Sequence, residues 1–205
     1  MDSMVNHYTA NKRLRSNDAY TAGGKAGFRP DRAVRTYTQI LKRLYPHVPV
    51  VVGGIEASLR RLTHYDYWDE RLMPSLLVDS GADLLVYGMG EKVIQEVAAA
   101  MRNGFNAKLL RRLRQVAFVA DRAYVDRLDE EQTIRLHSFE ECCRDKQAFA
   151  ENFTRIETLS NLMEQTQTLV EPTGDRYVVV NPPHTTLTQS ELDRSFDLPY
   201  ERAPH

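Results

Sequence analysis

The residues whose types and spacing could do chemistry are glycines set directly after short apolar runs. In VPVVVGGIEASLRRL, Gly53 and Gly54 follow the β-branched residues at 48–52, and in GADLLVYGMGEK, Gly88 and Gly90 follow an apolar run at 83–87. A buried strand that ends in a glycine turn and opens a helix lets backbone approach a ligand closely and points helix N–H groups outward. Neither turn is a G-x-G-x-x-G dinucleotide fingerprint or a G-x-x-x-x-G-K-[ST] phosphate loop. Each instead places a carboxylate, Glu56 or Glu91, in the first turn of the next helix, where it complements the helix dipole and repels a phosphate. The two turns therefore read either as tight chain reversals or as one edge that faces a ligand or a second domain.

A second concentration lies at 62–72, LTHYDYWDERL, where His64, Tyr65, Asp66, Tyr67 and the only tryptophan, Trp68, crowd together. His64 beside Asp66 could supply an acid–base or metal-binding pair. The amphipathic aromatics suit an interface, and ordinary packing is the competing reading. Metal chemistry has little else to draw on. Cys142 and Cys143 are neighbours, which on a helix diverge by about 100°, and no C-x-x-C, H-E-x-x-H or G-x-S-x-G is present. Reduced thiols and the lack of an apolar leader place the chain in the cytoplasm, with no membrane partner.

Charge argues against a nucleic-acid-binding footprint for the whole chain but leaves its first part open to a polyanion. The net charge of −1 hides a basic first part: residues 1–62 carry 11 Lys and Arg against 4 Asp and Glu. That half could favour a polyanion such as RNA, but the overall pI of about 6.6 is far from the strongly basic footprint of a nucleic-acid-binding domain. The cluster Lys108, Arg111, Arg112 and Arg114 reads as a solvated helix face.

These groups need elements to hold them. Pro30-Asp31 predicts a helix start, with Val34, Tyr37, Ile40, Leu41 and Leu44 at helical spacing. Strands are predicted at 48–52, 83–87 and 116–120, each linked to helical stretches, which points to a parallel sheet covered on both faces. The two glycine turns should then emerge on the same edge of that sheet. Ser138 and Glu141 form a capping box opening a long helix to about Gln165, and TLVEP with DRYVVVNPP reads as a hairpin.

Several long strings, DSMVNHYTANKRLRSNDAYT, GKAGFRPDRA, VVVGGIEASLRRLTHYDYW, LLVDSGADLLVYGMGEK and NPP…LPYERAPH, closely resemble the YgiQ-type family of radical S-adenosylmethionine proteins over essentially all 205 residues. The resemblance implies an α/β, Rossmann-like domain similar to cobalamin-binding domains, truncated at its start, over 1–137. A long helix and hairpin at 138–181 and a connector at 182–205 would follow, leading toward a radical barrel in the same polypeptide. It implies a 4Fe-4S cluster and S-adenosylmethionine for that parent, held by a C-x-x-x-C-x-x-C motif this chain does not contain, so no cofactor is expected on this chain and no catalysis by it alone. The resemblance leaves a base-off cobalamin or another ligand open, while cobalamin ligated by histidine is unsupported, since D-x-H-x-x-G is absent. The expected role is that of a domain presenting substrate or cofactor. Gly53, Gly54, Glu56, His64, Tyr65, Asp66, Tyr67, Trp68, Gly88, Gly90 and Glu91 are its candidate ligand-facing or barrel-facing residues. An RNA- or protein-binding module using residues 1–62 is the alternative.

Overall fold

The structure, a computed structural model, describes residues 7–201 apart from 103, 105 and 163. The strings at 1–6 and 202–205 that contribute to the sequence resemblance lie outside the described residues. In chain order the elements are α1 (Ala33–Leu44), β1 (Val51–Val52), α2 (Gly54–Leu59), β2 (His64–Asp66), β3 (Arg71–Met73), α3 (Leu76–Ser80), β4 (Leu84–Val86), α4 (Glu91–Met101), α5 (Ala107–Leu110), β5 (Val116–Ala120), α6 (Arg122–Val125), β6 (Thr133–Arg135), α7 (Phe139–Arg144), α8 (Lys146–Ser160), β7 (Thr168–Thr173), β8 (Arg176–Val180) and α9 (Gln189–Phe196).

Six strands form one sheet in the order β1-β4-β5-β8-β7-β6, and β2 and β3 form a separate antiparallel hairpin. Alternate side chains along the strands feed two apolar layers, as a strand period of two requires. Val52, Leu85, Ala117, Leu169 and Val178 pack with Ala57 of α2, Leu76 and Leu77 of α3 and Leu159 of α8. Leu84, Val86, Phe118, Val170 and Val179 pack on the other side with Val93 and Val97 of α4, Leu110 of α5 and Val125 of α6. The chain is thus a mixed α/β protein whose sheet is covered on both faces.

Strand direction differs from the expected parallel sheet. β1 pairs with β4 in parallel and β6 with β7 in parallel, but β4–β5, β5–β8 and β7–β8 are antiparallel. The hairpin of β7 and β8 completes the middle of this sheet. An apolar run buried on both faces reports burial and carries no direction, which is why VAFVA could be placed as a strand but not oriented. The expected long helix is also two. Asp145 adopts extended backbone and its carboxylate accepts from the Gln147 amide at 2.8 Å, so it ends α7 and caps α8. Ser138 and Glu141 form the expected capping box.

Candidate functional site

β1 and β4 lie side by side with Val51 opposite Leu84 and Val52 opposite Leu85, so their glycine turns leave the sheet together. Gly54 and Gly88 take positive φ, 82° and 68°, the left-handed region that glycine enters without steric cost. Gly53 is needed for closeness: a Cβ there would meet the Val86 carbonyl oxygen at 3.3 Å. One side chain ties the turns to each other. The Ser58 hydroxyl donates to the Gly54 carbonyl at 2.8 Å and accepts from the Gly88 amide at 3.1 Å. Gln115 braces the second turn from below, its Nε2 donating to the Tyr87 carbonyl at 2.7 Å.

Around this edge, Ile55, Leu59 and Met89 are exposed apolar side chains. Glu91 is exposed at the start of α4, whereas Glu56 is 2% exposed and pairs with Arg60 Nη1 at 3.1 Å. Glu56 therefore offers no carboxylate to a ligand or partner, a correction to its place among the barrel-facing candidates. An acid at that helix position can turn inward once an arginine four residues on follows it.

The aromatic segment is the β2–β3 hairpin, which sequence reasoning missed because three-residue strands show no usable alternation. Asp66 is 4% exposed and serves as the hairpin's anchor, not as a surface group. It accepts from Arg32 Nη2 at 3.0 Å and from the amides of Trp68 and Asp69 at 2.9 and 3.0 Å. Burial pushes its carboxyl up, but these amide and guanidinium donors outweigh it and hold the pKa below the usual carboxylate value. His64 is half-buried, its Nδ1 3.1 Å from the Leu62 carbonyl, and burial lowers its pKa. Its Asp66 neighbour in sequence sits two residues along the strand and is engaged by Arg32, so no acid–base pair forms between them.

The expected open aromatic surface already has a partner within the chain. Trp68 stacks against Tyr8 with ring centroids 4.0 Å apart, and Tyr67 donates its hydroxyl to the Ala10 carbonyl. Lys12 reaches the Trp68 carbonyl at 3.2 Å and lies 5.0 Å from the Tyr67 ring centroid. The arm carrying Tyr8 and Lys12 is itself pinned by Asp18, which accepts from Arg29 Nε at 2.7 Å and lies 3.2 Å from His7 Nε2. Tyr65 and Tyr67 remain exposed.

The basic excess of the first 62 residues is largely consumed by such pairs. Lys12, Arg29, Arg32, Arg35, Lys42 and Arg60 each meet a carboxylate within 3.2 Å. Farther on, Arg111 packs on Phe118 and Arg114 donates to the Pro183 and Gln165 carbonyls. These two arginines are structural, unlike the fully solvated face expected from sequence.

The cysteines do not make a cluster site. Cys142 is buried, its sulfur accepts from Asn152 Nδ2 at 3.3 Å, and burial together with the nearby Glu171 charge pushes its thiol up to about 11. Cys143 is exposed. Iron–sulfur clusters take several converging thiolates, and among the described residues no group of three His, Cys, Asp or Glu could hold a metal ion. No described helix is long and apolar enough to cross a membrane.

Sequence reasoning also passed over Arg61. Its guanidinium lies 4.9 Å from the Tyr87 ring centroid, Nη1 donates to the Ser58 carbonyl at 2.6 Å, and Nε is buried without a hydrogen-bond partner. It stands between two clefts beside the glycine edge, of about 310 and 550 Å³.

A family model described as radical SAM N-terminal matches residues 1–205. The chain is 50% identical over 205 residues to a UPF0313 protein of Porphyromonas gingivalis, covering 32% of that protein. It is 50% identical over 214 residues to one of Bacteroides thetaiotaomicron and 47% identical over 205 residues to one of Clostridium perfringens, covering 34% and 30% of them. The chain therefore spans about a third of the length of the curated relatives it matches. No solved structure matches it.

Proposed function

Because the chain belongs to the radical SAM N-terminal family, in the UPF0313 or YgiQ-type group, we propose that it is an accessory domain that presents substrate to a radical barrel in the same, roughly threefold longer polypeptide. Its working edge is the pair of glycine turns. The observation that carries this reading is their joint emergence from parallel β1 and β4, braced through Ser58 and rimmed by exposed Ile55, Leu59 and Met89. An exposed apolar rim at the carboxyl edge of strands is what a neighbouring domain or ligand would cover.

The chemistry belongs to the barrel. A 4Fe-4S cluster and S-adenosylmethionine, which the family implies for the whole polypeptide, would supply radical initiation there. The two cysteines of this chain do not fit that cluster, so its ligands are assigned to residues outside the chain. What this chain contributes is position: Gly53, Gly54, Gly88 and Gly90 let the edge approach closely, and Glu91 adds an exposed carboxylate beside it. The β2–β3 hairpin, with exposed Tyr65 and Tyr67, forms a secondary contact.

Hydrogen exchange compares the 205-residue chain with the full-length polypeptide. Amides at 53–59 and 88–91 are expected to exchange more slowly in the longer protein, because the barrel covers them. Identical exchange of both segments in the two proteins would remove the docking reading.

A further inference from the structure

Arg61 is in an unusual position for a cation. It lies two residues past the end of α2, and burial depresses the pKa of its guanidinium, offset in part by Tyr87 and Glu157. Glu157 borders the larger cleft, but no ion pair joins it to Arg61. One guanidinium edge is satisfied by the Ser58 carbonyl, and its face is covered by Tyr87. The Nε–H is left with nothing to bond to. A buried donor without a partner is costly, and more so on a charged group.

A second orphan lines the same smaller cleft. Gln165 is 8% exposed, its Nε2 donates to the Gln167 carbonyl at 2.7 Å, and its Oε1 is buried without a partner. Arg61 and Gln165 thus line one cavity, and each carries one polar atom without a hydrogen-bond partner. Ile156, Leu159, Leu169 and Val180 make most of its remaining wall apolar, with Ser160, Gln167 and Asn181 among them, and Gly88 lines it as well. The cleft lies at the lower end of the size range of small-molecule sites and has their usual makeup, an apolar lining with few placed polar groups.

We propose that this cleft binds a small organic carboxylate with an apolar body and a hydrogen-bond donor near the acid. The carboxylate pairs with the Arg61 guanidinium, the donor meets the Gln165 side-chain amide, and the apolar body lies on Ile156 and Leu159. Arginine suits the first role because its charge persists on burial and its donors have fixed geometry. The proposal deepens the reading of the glycine edge as the presenting edge and rests on it, since Gly88 of that edge lines the cleft.

The test uses the 205-residue chain without a barrel, so it can fail while the docking result stands, and the reverse. Backbone and arginine Nε signals are followed by heteronuclear NMR during titration with N-acetyl-L-leucine, with its neutral amide, and with 4-methylpentanoate, which keeps the acid and loses the N–H. Saturable shifts at Arg61, Gly88 and Gln165 are expected for N-acetyl-L-leucine, with the amide about tenfold weaker and 4-methylpentanoate between them. Arg61→Gln should lower the acid's affinity about tenfold and leave the amide's unchanged. Equal binding of acid and amide, no saturable binding of any probe, or an Arg61→Gln chain that still prefers the acid would each overturn the proposal. Should Arg61→Gln not fold, the acid-against-amide comparison on the native sequence decides alone.

Discussion

Asp66→Ala is expected to destabilise the chain by about 3 kcal/mol, the low end of what breaking a buried ion pair costs. The side chain of Asp66 is 3% exposed, and it joins three parts of the molecule. Arg32 at the start of α1 donates to Oδ2 from Nε at 3.2 Å and from Nη2 at 3.0 Å, and the Trp68 and Asp69 amides converge on Oδ1. Alanine would leave those two amides without their acceptor. Asp69 tempers the loss, because it holds Arg32 Nη2 at 2.7 Å and keeps the cation partly paired. Asp66→Asn retains an amide acceptor and should fall between the two. The folded carboxyl sits below its unfolded value, so its stabilisation is present above about pH 4 and fades as pH falls through the folded pKa. Chemical denaturation of the three proteins at neutral pH checks this; a loss below about 1 kcal/mol, the range of exposed pairs, would show that the hairpin does not depend on Asp66.

Glu171→Gln is expected to act in the opposite direction and only at higher pH. Glu171 lies in β7 at 1% exposure and accepts from the Thr63 amide at 2.8 Å. Burial drives its pKa up to about 7, more than the Thr63 donor brings it down. An acid whose folded pKa is raised binds its proton more tightly in the native state, so its contribution is full below the unfolded value. That contribution is lost as pH rises toward and through 7. The gap between about 4.5 and about 7 corresponds to roughly 3 kcal/mol. Glutamine keeps a carbonyl for the Thr63 amide and cannot ionise. The variant should match the native protein near pH 4.5 and exceed it by about that amount at pH 8. Comparing the two proteins at each pH cancels the other titrating carboxylates. Parallel stability curves from pH 4.5 to 8 would contradict a buried, titrating Glu171.

What was legible in the sequence follows from how local each signal is. The strand–glycine–helix units were readable because a short apolar run, a glycine turn and a following helix all lie within a dozen residues, and β1 and β4 do pair in parallel. The capping box at Ser138 was readable for the same reason. Direction in the middle of the sheet was not, since β5 takes its partner β8 from about 60 residues away. The site divides similarly. Gly53, Gly54, Gly88 and Gly90 stand out by their spacing, but in sequence Glu56 and Asp66 read as surface acids because Arg60 and Arg32 meet them only in the fold. Trp68 looked unpartnered because Tyr8 is 60 positions earlier. Arg61 was one basic residue among neighbours; only the cavity and its unused Nε–H distinguish it.

The central claim, that the glycine edge faces the radical barrel, is tested most directly by spin-label relaxation in the full-length polypeptide. Nitroxides are placed singly at Met89, in the second glycine turn, and at His47, exposed at the opposite end of β1, in a Cys143→Ser background. The reduced, paramagnetic cluster proposed for the barrel would then shorten the relaxation of whichever label lies nearer. The account predicts stronger enhancement at Met89 than at His47. Equal enhancement at the two positions, or a stronger effect at His47, would contradict it.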